Sequence, residues 1–173
     1  MISDATPSPR RLLLLALGAS IAVVGTALLF QYVGGLAPCE LCLYQRWPYY
    51  AVIAVAALAL VVSNDAAIRW ALALAALIFA LSTALAVYHA GVEYHWFPGP
   101  TACTGGTSGA QTIEQLRAQL LGRQPVSCDE PAWRLFGISL AGWNVLASLL
   151  LTLFCAASFL RLGPGRRGRA VHV

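Results

Sequence analysis

Four long apolar stretches, separated by short polar segments, dominate the chain. None of them contains Asp, Glu, Lys or Arg; they cover residues 12–38, 47–64, 70–92 and 135–160. A helix that crosses a bilayer needs roughly 20 apolar residues, with a range of about 17–25. We therefore predict an all-α integral membrane protein, a four-transmembrane-helix bundle forming one domain over residues 1–173. The predicted helices cover residues about 12–33, 46–63, 68–90 and 136–160.

Composition supports a membrane as the solvent. The chain is 59% hydrophobic and 10% charged, whereas soluble domains average about 25% charged residues. The first apolar stretch exceeds the roughly 7–15 residues of a signal-peptide core and no small-residue cleavage site follows it, so we expect a retained helix. The net charge of +4 comes from arginines at the ends of apolar runs. No basic face with interleaved aromatics is present, and we expect no nucleic-acid partner.

The arginines predict an orientation. Four spans place both termini on one side, together with the turn near residue 65, and this side carries seven of the eleven arginines. Cytoplasmic loops are enriched in Lys and Arg, so we expect cytoplasmic termini and periplasmic loops at 34–46 and 91–135. Residues 163–173 are expected to be a disordered tail. Aromatic residues near the outer helix ends are candidates for interface anchors or for packing between helices: Tyr32, Trp47, Tyr49, Tyr50, Tyr94, Trp96 and Trp133.

Four of the five cysteines fall in the two loops that are predicted to face outward. Cys39 and Cys42 form a C-x-x-C, Cys103 and Cys128 lie in the second loop, and Cys155 lies deep in the fourth span. Two static disulfides, or a zinc site built from four thiolates, are alternatives to redox chemistry. Covalent haem needs His after the C-x-x-C, and Leu43 is there instead. A C-x-x-C bridge closes too short a loop to stabilise the fold much, which favours thiol exchange.

Two further residues are candidates for work beside the cysteines. Arg46 follows Cys42 by four residues at the start of the second span, where its charge and the positive end of the helix dipole favour a thiolate. A membrane-boundary anchor is the alternative role for Arg46. An exposed dithiol beside a bilayer suggests a lipid-soluble acceptor, and a cation there would stabilise a reduced quinone oxygen. His89, near the outer end of the third span, is a second candidate polar group, or a helix-packing histidine.

These residues together resemble the DsbB family of quinone-reducing, disulfide-generating membrane proteins. The matching segments are PCELCLYQR at 38–46, YHAGVE at 88–93, GPTAC at 99–103, and SCD at 127–129 leading into Trp133 and the FG at 136–137. The resemblance covers residues 12–160. The string C-x-x-C-x-x-Q-R with two later loop cysteines is specific, whereas a lone C-x-x-C would not be.

The resemblance implies a protein-disulfide:quinone oxidoreductase in the bacterial inner membrane, with its redox cysteines facing the periplasm. It implies that a periplasmic DsbA-like protein is oxidised by a Cys103–Cys128 disulfide, with Cys103 forming the mixed disulfide. Electrons then pass to Cys39–Cys42 through a transient Cys39–Cys128 bridge. Cys42 hands them to ubiquinone or menaquinone beside Arg46. His89, the candidate polar group near the outer end of the third span, is our second expected quinone-binding residue.

The second loop leaves the partner open. Apolar residues within 111–121 have the spacing of a short amphipathic helix on the membrane surface, and some DsbB-like subgroups serve one dedicated client. A membrane scaffold with static disulfides is a rival interpretation. A quinone-linked enzyme of the vitamin K epoxide reductase kind is another, although in that family the C-x-x-C follows the loop pair, and here it precedes it.

Overall fold

The computed structural model describes residues 7–100, 112–114, 117 and 126–163. Its elements are α1 (Pro9–Tyr32), α2 (Glu40–Tyr44), α3 (Trp47–Val62), α4 (Asp65–Glu93), β1 (Arg134–Leu135), β2 (Ile138–Ser139) and α5 (Leu140–Arg161). Four helical segments are long and apolar enough to cross a membrane: Pro9–Tyr32, Glu40–Val62, Asp65–Glu93 and Leu140–Arg161. The prediction of a four-helix membrane bundle is confirmed. The second loop between residues 101 and 125 lies largely outside the described part, as does most of the predicted surface helix at 111–121.

Helix α4 is the centre of the bundle. It packs most extensively against α5 and also contacts α3 and α1, while α1 packs mainly against α3. The shared core is apolar and includes Leu13, Val52, Leu72 and Phe79, each with no measurable exposed surface. Many of the other core positions are alanine, which lets helices approach closely where lipid provides no hydrophobic drive for association.

The helix ends are determined by local capping residues. Ser8 caps α1 by accepting a hydrogen bond from the Arg11 amide, and Pro9 follows at the first turn, where its missing N–H costs nothing. Between α3 and α4 the chain turns within two residues. Ser63 adopts a left-handed conformation with φ of 52°, and the Asn64 side chain accepts from the Ala66 amide at 2.8 Å. This tight turn makes α3 and α4 antiparallel neighbours.

A small hairpin precedes the last helix, which was expected to begin at about residue 136. Arg134 pairs with Ser139 and Leu135 with Ile138 in antiparallel register. Phe136 and Gly137 form the turn with φ of 52° and 79°, conformations that a helix cannot contain. Ser139 then caps α5 by accepting from the Gly142 amide at 3.1 Å, so the helix starts at Leu140. The apolar composition of 135–139 concealed this turn.

The first outer loop and the end of α4 are also more ordered than the sequence suggested. Residues expected to form a loop at 34–46 contain the short helix α2. At the end of α4 the ring of Phe97 lies over Gly91, where an added Cβ would meet ring carbon Cδ2 at 2.3 Å. Phe97 also stacks on Tyr88 at 6.0 Å between centroids. A side chain at position 91 would therefore displace the Phe97 ring. The chain folds back over this helix end, where the amides of Trp96 and Phe97 donate to the Gly91 carbonyl oxygen. Of the tail predicted at 163–173, residues 164–173 lie outside the described part.

Candidate redox site

The C-x-x-C motif is held by the helix α2. Cys39 is the N-cap residue, and its sulfur accepts a hydrogen bond from the Cys42 amide at 3.2 Å. One helical turn therefore brings the two thiols onto the same side, with their Sγ atoms 2.7 Å apart. Both cysteines are free thiols here. Cys39 is 4% exposed and Cys42 is only half-buried, so the pair has a closed side and an open side.

The two thiols of this pair differ in their surroundings. The hydrogen bond with the Cys42 thiol raises the pKa of Cys39 well above the ordinary thiol value, and burial raises it further. A thiol with a raised pKa keeps its proton at neutral pH and is a poor nucleophile. Cys39 therefore needs a nearby polar group whenever its sulfur carries negative charge.

His89 from α4 provides such a group. Its Nε2 lies 3.5 Å from the Cys39 sulfur, and its Nδ1 lies 2.6 Å from Nε2 of the Gln45 side chain. His89 is 2% exposed, and it also makes a hydrogen bond to the main chain of Cys128. The structure thus brings His89 next to the Cys39–Cys42 pair, although the histidine and the pair were proposed from the sequence on separate grounds.

Glu93 is a buried carboxyl one turn beyond His89. Its Oε1 lies 3.9 Å from His89 Nε2, which is too long for a hydrogen bond. Its Oε2 has no hydrogen-bond partner within the described residues. The neighbouring groups that act on Glu93 are Ser139 and Arg134 of the hairpin. The hairpin therefore contributes a hydroxyl and a positive charge to the edge of the site.

A chain of hydrogen bonds continues from His89 into the bundle. Asn144 of α5 donates from Nδ2 to Oε1 of Gln45 at 2.7 Å, and its own Oδ1 accepts from the Tyr49 hydroxyl at 2.6 Å. Gln45 and Tyr49 are buried and Asn144 is half-buried. The chain joins three helical segments at the same depth, since Tyr49 belongs to α3, His89 to α4 and Asn144 to α5.

Arg46 lies beside an apolar cavity. The guanidinium donates from Nη1 to the Gln31 side-chain oxygen of α1 at 2.6 Å. The cavity has a volume of about 480 Å³ and lies mainly between α1 and α5. Its lining includes the redox residues Cys42, Arg46 and His89, the polar residues Gln45, Tyr49 and Asn144, and the apolar residues Ala22, Ala27, Phe30, Trp133, Ala141 and Ala147. The cavity thus combines a mostly apolar wall with a few convergent polar groups, as small-molecule sites do.

The remaining cysteines have different surroundings. Cys128 is disulfide-bonded and fully buried, in one cluster with Cys39, Leu41 and Val92. Cys103, its partner according to the family resemblance, lies outside the described residues. Cys155 is a free thiol within the apolar core of the bundle.

The donor atoms of Cys39, Cys42 and His89 all lie within 4.8 Å of one another. Three such donors have the types that zinc prefers. The alternative cage of four cysteines is not formed in this structure, because Cys128 is engaged in a disulfide. The cluster is a pair of free thiols with an adjacent imidazole.

Sequence reasoning missed four residues of this site: Gln31, Gln45, Tyr49 and Asn144. Gln45 was noted only as a letter of the motif. Tyr49 was a candidate for an interface anchor or for packing between helices, and the structure buries it between helices, but its place in the site was not predicted. A signal was present for Asn144, because an amide inside an apolar span is costly unless it has partners. No sequence signal identified the residues with which it pairs.

Comparison with known proteins gives a consistent result. The family model described as "Disulfide bond formation protein DsbB" matches residues 9–158. A Disulfide bond formation protein B of Verminephrobacter eiseniae is 33% identical over 94% of this chain and 93% of its own length. One from Actinobacillus pleuropneumoniae is 30% identical over 86% of each chain, and the uncharacterized protein RP370 of Rickettsia prowazekii is 28% identical over 78% of each. No solved structure gives a significant match.

Proposed function

Because this chain belongs to the DsbB family and is a membrane disulfide bond formation protein, we propose that it oxidises a DsbA-like dithiol protein in the periplasm and reduces a quinone. The observation that carries this proposal is the opening of a reduced cysteine pair onto an apolar cavity. Cys42 and Arg46 both line that cavity. A dithiol and a cation at the wall of a lipid-compatible pocket are the parts that transfer of electrons to a quinone requires.

The residues present fit a quinone head group. The wall is mostly apolar, while Arg46, Gln45 and Asn144 offer N–H donors within it. Arg46 and His89 are the proposed quinone-binding residues. A bound quinone, ubiquinone or menaquinone, would accept two electrons and two protons. Arg46 would stabilise negative charge both on the Cys42 sulfur and on a quinone oxygen.

The two cysteine pairs form a relay in this proposal. The reduced partner attacks the Cys103–Cys128 disulfide at Cys103, and Cys128 leaves as a thiolate. Cys128 then attacks Cys39, so that the Cys39–Cys128 bond forms, the Cys39–Cys42 bond breaks and Cys42 leaves. The burial of Cys128 and Cys39 in one cluster supports this step. The partner's second thiol then attacks the partner's own sulfur in the mixed disulfide, so that the partner disulfide forms and Cys103 leaves as a thiolate. Cys103 attacks Cys128, the Cys103–Cys128 bond re-forms and Cys39 leaves, which gives a reduced Cys39–Cys42 pair.

The energetics favour a quinone as the final acceptor. DsbA-type proteins have a reduction potential near −120 mV, which makes them strong oxidants. Reoxidising such a protein needs an acceptor of higher potential, and a respiratory quinone is one that dissolves in the bilayer. The proposed location is the bacterial inner membrane, with the cysteine loops in the periplasm. This orientation follows from the arginine asymmetry and from the persistence of disulfides in oxidising compartments.

A direct assay tests the proposal. Purified protein, a reduced DsbA-like protein and a soluble ubiquinone or menaquinone analogue are mixed, and quinone absorbance and partner thiols are followed together. We expect one quinone reduced for each partner disulfide formed. A scaffold with static disulfides would leave both signals unchanged, and oxidised partner without quinone loss would exclude the quinone step.

The order of transfer has its own test. Cys128→Ala should accumulate a reducible covalent complex with the partner on non-reducing gels, provided that Cys103 is oxidised by another route. Cys103→Ala should accumulate none, because the partner's point of attack is missing. A complex that persists in Cys103→Ala would reverse the proposed roles. Absence of a complex in both variants would instead support static disulfides.

A further inference from the structure

The hydrogen-bonded chain from Tyr49 to Cys39 has a direction. The Tyr49 hydroxyl donates to Asn144 Oδ1, and the Asn144 amide donates to Gln45 Oε1. Gln45 then presents its own amide nitrogen to His89 Nδ1 at 2.6 Å. Each side-chain amide uses its oxygen as an acceptor and its nitrogen as a donor, so the orientation of one residue determines the orientation of the next.

This direction determines the tautomer of His89. In a neutral imidazole one nitrogen carries a proton and the other accepts a hydrogen bond. Because Gln45 donates to Nδ1, that nitrogen is the acceptor and Nε2 carries the proton. Nε2 is also the ring nitrogen that lies 3.5 Å from the Cys39 sulfur. The hydrogen bond between His89 and the main chain of Cys128 must use the same N–H, because Nδ1 is occupied. His89 therefore presents one N–H that is shared between the Cys39 sulfur and the main chain of Cys128.

We propose that Asn144 is a positioning residue that, with Tyr49, holds Gln45 so that His89 presents its Nε2–H to the Cys39 sulfur. This inference rests on the proposed function, in which Cys39 must leave from its bond with Cys128. In that step the Cys103 thiolate attacks Cys128, a Cys103–Cys128 bond forms and the Cys39–Cys128 bond breaks. The electron pair goes to Cys39, which leaves as a thiolate. The His89 N–H stabilises this negative charge until Cys39 takes up a proton, which balances the one that Cys103 lost on becoming a thiolate.

A second polar contact between the same helices provides a comparison. The Thr83 hydroxyl of α4 and the Ser148 hydroxyl of α5 lie 3.0 Å apart. Their other hydrogen bonds run to main-chain oxygens of their own helices, and neither reaches Gln45, His89 or the cysteines. The Ser148 hydroxyl donates to the main-chain oxygen of Asn144, so this contact lies next to the chain but uses none of its side-chain hydrogen bonds. Thr83→Val therefore removes a similar hydrogen bond between α4 and α5 while every side chain of the hydrogen-bonded chain is kept, and it serves as the matched control.

The first experiment reads the tautomer directly. Full-length protein with ¹⁵N-labelled histidine is studied by NMR, and His89 is assigned by its loss in His89→Ala, since His95 and His172 are the other two histidines. We expect the protonated nitrogen of His89 to be Nε2 in the wild type and in Thr83→Val. In Asn144→Leu the signal should become a mixture of tautomers, and Tyr49→Phe should show a smaller change in the same direction. A wild type protonated at Nδ1 would overturn the inference.

The second experiment measures what the tautomer does to Cys39. In a background without the other four cysteines, the alkylation rate of Cys39 is followed against pH. The titratable groups that face Cys39 among the described residues are Cys42, His89 and Glu93, and only Cys42 is absent from the background. Loss of an oriented donor disfavours the thiolate, so Asn144→Leu should slow alkylation at pH 8 by about threefold to tenfold and shift the profile to higher pH.

These outcomes separate a positioning role from a structural one. Equal changes in Thr83→Val and Asn144→Leu, with matched detergent melting temperatures, would show general loosening of the helix contact and would contradict the inference. Unchanged profiles in both Asn144→Leu and Tyr49→Phe would also contradict it. Neither readout contains a quinone, so failure of the quinone assay would reject the proposed function without changing what is measured here.

Discussion

The inner and outer halves of the bundle are held together by different interactions. In the inner half, which is the half away from the cysteine pair, the buried contacts are mostly apolar, and they include Leu13, Ala56, Phe79 and the thiol of Cys155. A buried serine there, Ser20, donates to a main-chain oxygen of its own helix. In the outer half the same helices meet through a hydrogen-bonded chain that runs from Tyr49 to His89. Both halves lie within the spanning segments. The two halves therefore differ in the kind of side chain that joins the helices, and not only in their position along the helices.

Close packing between helices in a membrane accounts for the residues of the inner half but not for the polar residues of the outer half. Lipid tails are as apolar as leucine, so helices in a bilayer associate by close packing of small residues and by hydrogen bonds. Packing suffices for the inner half. The amides and the imidazole of the outer half are costly to place in a membrane, and such residues usually mark functional sites. Here they converge on the cysteine pair.

The largest difference between the two halves should appear when one cysteine is removed from each of them. Cys42→Ala should lower quinone reduction by at least about a thousandfold, because covalent exchange has no substitute nucleophile. Cys155→Ala should leave the rate within about twofold, since a buried free cysteine behaves as a small hydrophobe. Stopped-flow quinone absorbance measures both. A loss of activity in a well-folded Cys155→Ala protein would show that the inner half takes part in the chemistry.

The apolar half should carry stability and not catalysis. Phe79 is fully buried and packs on Tyr49 with ring centroids 5.4 Å apart. Phe79→Ala should lower the free energy of unfolding by about 3 kcal/mol, as large-to-small core substitutions do. Denaturant unfolding in detergent micelles measures this change. The quinone rate per folded molecule should stay near wild type; a selective fall in that rate at full folding would couple the two halves.

Arg46 tests the role of charge in the polar half. Arg46→Ala should lower kcat/KM for the quinone by about tenfold to a hundredfold, because a positioned cation at the reacting oxygen is lost. Lys should recover only part of the rate, since it keeps the charge but not the planar fork that reaches Gln31. Exchange between the partner and Cys103–Cys128 should be unaffected. Equal losses in both half-reactions would make Arg46 a structural anchor.

A smaller effect should distinguish the two thiols of the pair. The hydrogen bond with Cys42 and burial raise the pKa of Cys39, so its thiol keeps its proton at pH values where an ordinary thiol of pKa 9.0 begins to ionise. The raised pKa of Cys39 contributes to the stability of the folded protein with its cysteine pair reduced. This contribution is fully present below pH 9 and is lost as the pH rises further. At pH 8 a small alkylating reagent should modify Cys42 several times faster than Cys39, with the ratio falling at alkaline pH. Mass spectrometry of peptides measures the ratio, and preferential labelling of Cys39 at pH 8 would contradict it.

The sequence predicted the parts of the site that lie in a local motif or at the end of an apolar run. The spacing of Cys39 and Cys42 predicted a pair of neighbouring thiols. The position of Arg46 in the sequence predicted that this residue lies at the start of a helix. His89 was proposed from its place near a helix end, 50 residues from Cys39, yet the sequence contained no measure of the distance between them. Hydrogen-bond partners such as Asn144 depend on how helices rotate and cross, which apolar periodicity does not specify in a lipid-facing bundle.

The fold was predictable to a similar degree. Uncharged stretches near the thickness of a bilayer identified four spans because the length of a helix needed to cross is fixed by geometry. The hairpin before α5 was missed because residues 135–139 are as apolar as the helix that follows. Its turn depends on the left-handed backbone at Phe136 and Gly137, and Gly137 alone did not identify a hairpin.

Alanines make up much of the cavity wall, with Ala22 and Ala27 on α1 and Ala141 and Ala147 on α5. A wall of small side chains takes its shape from the spacing of two helices and leaves room for added methyl groups. An alanine codon becomes a valine codon by one base change, so the volume and contour of this space are within reach of single mutations. The cysteines and Arg46 are untouched by such changes. Lineages that meet different membrane-soluble molecules therefore have a short mutational path for adjusting which of them fits, while the redox residues remain constant.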